Sequence, residues 1–150
     1  MKKIILSLAF ATAILTSAFA APVEREPGFA VKNSFSKEFA NIKDVKWEEL
    51  NNRTGVYLAT FSFNNEQLQA FFTEEGEFLG TTRQITSAQL PIMVIKEMGK
   101  QYPNAKVASV YEYSLTDGLA YYITVVTEKT SMIVKATGAG ELTVYKKQKQ

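Results

Sequence analysis

The sequence predicts an α+β fold, a tandem duplication of one helix plus a four-stranded antiparallel sheet, with the helices on one side of the sheet. Three observations predict it. Two short segments with helical spacing are each followed by stretches that alternate with the two-residue period of strands. The segments EFANIKDVKW, ending at Trp47, and KQYPNAKVAS, ending at Ser109, carry the same succession of aromatic, small residue or proline, asparagine and apolar run. The halves also overlay by position. At an offset of 63, Phe39 falls on Tyr102, Asn41 on Asn104, Gly55 on Gly118 and Phe63 on Val126. Past the middle hairpin the offset is 64, with Leu68 on Met132, Ala70 on Val134, Gly76 on Gly140 and Phe78 on Leu142. One residue added near a turn costs little.

The elements follow in order. Met1 to Ala20 has a positive start, an apolar run from Ile4 to Leu15 and small residues before the expected cut after Ala20, the pattern of an export signal. The run is too short to span a bilayer comfortably, and no later segment is a membrane candidate. Residues 21–28 read as a flexible leader. A helix follows from Phe29 to about Phe39, with Phe29, Phe35 and Phe39, helped by Val31, as its apolar stripe. Val45 and Trp47 alternate with Lys46 and Glu48 as a half-buried strand. Asn51 to Gly55 turns the chain, and Val56 to Phe63 is strand-like in its β-branched and aromatic content. Asn64-Asn65 makes a tight connection to EQLQAFFT, and the Gly76 turn leads to EFLGTTRQI.

The second unit restarts at residue 87, so the repeats are 29–86 and 87–145 of a single domain, 29–145. Ser87 is the expected N-cap, with Pro91 in the first turn, and Ile92, Ile95, Met98 and Tyr102 recur at helical spacing. Pro103 ends the helix. Strands are expected over Val107–Leu115, Leu119–Val126, Ser131–Ala136 and Glu141–Tyr145, with Gly140 in the last turn. Residues 146–150 read as a solvated basic tail.

Composition excludes several functions. Removing Lys2 and Lys3 with the signal leaves 15 basic against 15 acidic residues, not the positive balance of a nucleic-acid binder. There is no cysteine, so the core alone must hold the exported domain, and no histidine, the usual proton shuttle at neutral pH. Catalytic triads of the Ser-His-Asp or Cys-His kind are therefore impossible, and no catalytic residue is assigned. Glu48-Glu49 and Glu74-Glu75-Glu77 flank turns and read as solvated surface without the spacing of a calcium loop; no metal or cofactor is expected. TGAGE lacks the lysine and helix of a phosphate loop.

Aromatic side chains are the remaining surplus. Trp47 and Phe61 are expected in the core, and Gly76, Pro103 and Gly140 as structural residues of turns and helix end. In a sheet covered on one face, the opposite face lies open to water or a partner. Tyr57, Tyr111, Tyr113 and Tyr122 are the candidates for such contacts, since tyrosine tolerates a wet interface. A one-residue slip of the strand carrying Tyr111 and Tyr113 would exchange the faces.

FANIKDVKW, VYLATFSF, LQAFFTEEGEFLGTTRQI and LPIMVIKEMGKQYPNAKVASV together resemble the exported, PepSY-like proteins grouped with β-lactamase-inhibitor-like domains of Bacteroidetes. Tyr102-Pro103-Asn104 occupies the place of the tyrosine-proline-small unit after the second helix in that family, and Glu75 that of the acidic residue before the turn glycine. Ala139 before Gly140 departs from the pattern, and a less regular last hairpin is expected. The resemblance covers about Val31 to Val144. It implies the two-repeat fold and a periplasmic or extracellular location, and does not transmit a partner. The expected function is a non-catalytic module that binds an envelope protein or peptide through the sheet, inhibitor-like in form. The alternative is a carrier or sensor of a small apolar ligand between helices and sheet.

Overall fold

The computed structural model describes residues 23–50, 55–128 and 130–149. The expected export signal and most of the turn at Asn51 to Gly55 lie outside them. The elements are β1 (Val23–Glu24), α1 (Phe29–Glu38), β2 (Val45–Leu50), β3 (Val56–Phe63), β4 (Glu66–Thr73), β5 (Phe78–Ile85), a single 3-10 turn (Ser87–Gln89), α2 (Ile92–Gln101), β6 (Lys106–Leu115), β7 (Gly118–Val126), β8 (Thr130–Thr137) and β9 (Leu142–Lys149). The strands are hydrogen-bonded in chain order, β1 to β9. The α+β class and the doubled helix-plus-strands plan are those the sequence predicts.

The chain forms two compact units. The first runs to Phe63 and includes Ala70–Leu79; the second is Asn64–Gln69 with the chain from Gly80 onward. The second unit therefore begins earlier than residue 87, because β5 pairs with β6 from Gly80↔Leu115 to Ile85↔Val110. Each unit consequently has a strand ahead of its helix, β1 in the first and β5 in the second.

In the first unit α1 lies on one face of its strands, and Phe35 is the hub. Its ring meets Trp47 edge-on at 5.3 Å and Phe61 at 5.1 Å, with Phe39 at 5.2 Å and Phe72 at 6.1 Å. Edge-to-face packing sets the positive rim of one ring on the negative face of another. Val31, one turn before Phe35, is fully buried beside it, whereas Phe29 is exposed and drops out of the expected stripe.

In the second unit the corresponding layer is mostly aliphatic. Val94 and Met98 of α2 pack on Val110, Ile123, Val125 and Val134. The expected stripe of Ile92, Ile95 and Met98 is out of phase: Ile92 is 74% exposed and Ile95 40%. Thr86 rather than Ser87 caps the turn that precedes α2, its backbone N–H bonded to the Gln89 side chain, and Leu90 then dips into the core.

Several local features recur between units. The N–H of the helix C-cap donates to the carbonyl four residues back in both, Phe39 to Phe35 and Tyr102 to Met98, each 2.8 Å. The turn after the third strand that follows each helix is closed the same way. Gly76 N–H donates to Thr73 O at 2.9 Å and Gly140 N–H to Thr137 O at 3.0 Å, and the threonine N–H returns to Glu77 or Glu141. Both threonine hydroxyls accept from the same glutamate N–H groups. The turn of the last hairpin is thus closed like the first, while the irregularity expected from Ala139 falls within the strands, where the β8–β9 register shifts between Ile133 and Val134.

Both turn glycines need positive φ, 86° and 91°. A Cβ at Gly76 would stand 2.7 Å from the carbonyl oxygen of Ala30, and one at Gly140 would stand 3.0 Å from that of Met93. Ala30 and Met93 are the second residues of their helices, so each turn seats the start of its own unit's helix.

Two segments expected to be irregular are strands. In the leader, Val23 and Glu24 pair with Glu49 and Glu48 as β1. Lys146 to Lys149 are not a loose tail but continue β9, paired with Ile133 to Thr130. Backbone pairing needs no particular side chain, which is why composition reads both as loose ends.

Candidate functional site

The register fixes the faces of the second unit. Val110 pairs with Ile123, both under α2, so Tyr111, Tyr113 and Tyr122 point away from the helix. A bulge between Val107 and Ser109 sets this phase, the one-residue shift that the sequence alone does not locate. On that face Tyr113 and Tyr122 stand edge to face at 5.0 Å, and Tyr122 and Tyr145 at 5.3 Å. Lys135 Nζ lies 5.9 Å from the centre of the Tyr122 ring, a cation–π arrangement.

Three of the four tyrosines expected to meet a partner are buried. Tyr113 is 1% exposed and Tyr122 3%, and Ile133 on the same face is buried too. In the first unit Leu50, Val56, Leu58 and Phe71 point away from α1 and are likewise buried. The strand face opposite each helix is therefore largely buried rather than open. Two-residue alternation assigns a side chain to a face; it does not say whether that face is wet. Tyr57 is displaced further: it pairs with Glu49 on the helix side of β2 and β3, and is buried there. Only Tyr111 keeps part of its surface, at intermediate burial.

Burial has its electrostatic consequence. Withdrawal from water disfavours tyrosinate, so Tyr122 is pushed up to about 12, helped by Tyr145 and Asp117, and Tyr113 is raised further still.

Trp47 and Phe61 are buried under Phe35, Gly76 and Gly140 hold the two turns, and exposed Pro103 follows the end of α2.

The acidic groups are engaged singly. Glu49, buried on the helix side, accepts from Arg25 at 2.5 Å. In the second unit Glu112 accepts from Arg83 at 2.8 Å, and Arg83 also binds Glu66 at 2.7 Å. Each glutamate lies opposite a tyrosine on the next strand, Glu49 with Tyr57 and Glu112 with Tyr121; Arg83 comes from the preceding strand, β5, and Arg25 directly follows β1. This arginine–glutamate–tyrosine arrangement is a further repeated feature. Among the described residues no three metal-ligating side chains gather, and no helix is long and apolar enough to cross a membrane.

Sequence reasoning missed the exposed apolar surface. Ile92, Met93 and Ile95 on α2, and Val144 on β9, are each 40% exposed or more. The four-residue spacing of Leu90, Val94 and Met98 is the signal that would have released Ile92 and Ile95 from the core.

No family model matches the chain, and no curated protein matches it. Solved structures do. A protein of Bacteroides eggerthii described as periplasmic shares 17% identity at a TM-score of 0.71, over 83% of this chain and 90% of that one. A DUF2874-family protein of Bacteroides ovatus shares 20% identity at 0.71, over 83% and 89%. A BLIP-like protein of Bacteroides fragilis shares 19% identity at 0.68, over 83% and 87%. At these identities the likeness is one of fold: the chain has the doubled α+β architecture of these Bacteroides proteins.

Proposed function

We propose that this chain is an exported, non-catalytic module that binds a protein or peptide in the bacterial envelope, with the periplasm as its place of work. The observation that carries the reading is the set of large apolar side chains left in water on the second unit, Ile92, Met93 and Ile95 with Val144. Covering what these partly buried side chains still expose is worth a fraction of the roughly 1.5–3 kcal/mol of a fully exposed one, and that gain favours association. The lack of histidine and cysteine and the arginine-tied glutamates supply no reacting group. The periplasmic description of the B. eggerthii protein supports the location, and the fold shared with a BLIP-like protein adds an inhibitor-like role to the candidates. Tyr111 is the member of the expected tyrosine set that a partner can still touch.

The test is binding by the processed chain, residues 21–150, to proteins of a bacterial envelope extract, followed by titration of the captured protein in pure form. A saturable complex weakened by Ile92→Glu or Tyr111→Ala, with the circular dichroism of the fold retained, supports the reading. Binding that ignores both substitutions, or no saturable complex, overturns it.

A further inference from the structure

Among the described residues the strand order ends at β9, so its outer edge pairs with no described strand. Such an edge carries backbone N–H and C=O groups able to receive another strand. The two ends of the order differ. β1 is two residues long, the blunt kind of edge that resists addition, whereas β9 extends over eight residues.

The charge of β9 selects what fits. From Leu142 to Lys149 there is no carboxylate, and Lys146, Lys147 and Lys149 fall within the last four positions. Lysines at an edge deter a like edge: two β9 strands of separate copies would bring cations together. A strand bearing carboxylates meets the opposite situation. The other half of β9 offers apolar surface, since Val144 is 49% exposed, and α2, with its 44% exposed Met93, lies beside the strand.

We propose that β9 is a docking edge for an extended acidic peptide segment of another protein, which pairs through its backbone, sets carboxylates near Lys146 and Lys147, and lays an apolar side chain by Val144. This rests on the protein- or peptide-binding reading above and names its place and the chemistry of the partner.

The experiment uses the processed chain and three synthetic probes: a short peptide with a half of consecutive glutamates followed by a half of valines, the same peptide with lysine for glutamate, and the acidic peptide with alternate amides N-methylated. Fluorescence anisotropy reads binding, and amide hydrogen exchange reads its location. The acidic probe is expected to bind saturably, more weakly as salt rises, and to slow exchange along β9. The basic and N-methylated probes are expected not to bind. Lys146→Glu with Lys147→Glu is expected to weaken the acidic probe roughly tenfold or more. Equal binding of the N-methylated probe, or self-association of the chain through β9 in sedimentation, overturns the edge proposal. Protection that falls instead around Tyr111 or α2 overturns it while leaving the broader reading standing. Failure of every probe overturns the edge proposal alone, because the captured envelope protein tests the broader reading separately.

Discussion

The two units share a backbone plan but not a core. Phe35 in the first unit and Met98 in the second sit at corresponding points of their helices, one inside a cluster of rings and the other among aliphatic side chains. The threonine–glycine–glutamate turns, the helix caps and the arginine–glutamate pairs agree closely. The difference teaches that the architecture is specified by backbone seats and turn geometry, while core chemistry is free to vary if volume is filled.

The largest break in that comparison comes from the hubs. Phe35→Ala is expected to destabilise the first unit by about 3–5 kcal/mol, and Met98→Ala the second by about 2–4 kcal/mol. Trp47, the single tryptophan, lies in the first unit, so its fluorescence during urea unfolding reads that unit directly, beside circular dichroism for the whole. Equal small effects would show that neither residue organises its layer.

The seats come next. Gly76→Ala is expected to cost about 2–3 kcal/mol, from positive φ together with a clash on the Ala30 carbonyl. Gly140→Ala, with a longer approach to Met93, is expected to cost about 1–2 kcal/mol. Thermal unfolding midpoints of the two variants check the order, and a reversed order would contradict the closer contact at Gly76.

Alkali should act on the second unit through Tyr122. Tyr122 lies where the first unit has Leu58, which cannot titrate, and both are buried on the face away from their helices. Raising Tyr122 from 10.0 to about 12 means the folded state keeps a proton that the unfolded state has lost. That stability is fully present below pH 10.0 and is lost as pH rises towards about 12. Tyrosinate absorbance at stepped pH should show a late-titrating class that Tyr122→Phe reduces. The smallest effect is expected at the surface: Ile92→Ser should change stability by no more than about 0.5 kcal/mol, against about 2 kcal/mol or more for Val94→Ser.

Much of the fold is legible in the sequence. Val56 to Phe63 and Glu66 to Thr73 are strands at the limits that their composition and the Asn64-Asn65 turn indicate, and both asparagines take the positive φ of such a turn. The phase of α2 is not legible in the same way. A ten-residue helix with Ile92, Met93, Val94, Ile95 and Met98 has apolar side chains on several sides, and only packing chooses among them. The tyrosines fail differently: alternation places Tyr111, Tyr113 and Tyr122 on one face, but burial of that face depends on distant residues. The lysines of β9 hide a strand because pairing is a property of the backbone.

The glycine seats also order events in time. A chain made N-terminus first presents α1 well before the turn at Gly76, and α2 well before Gly140. Each helix can lean first on the strands that follow it, Trp47 and Phe61 for α1 and Val110 and Ile123 for α2, but its N-terminal seat is complete only when the far turn of its own half has arrived. Until the turn arrives, Ala30 and Met93 lack the contact that their own unit's glycine turn supplies.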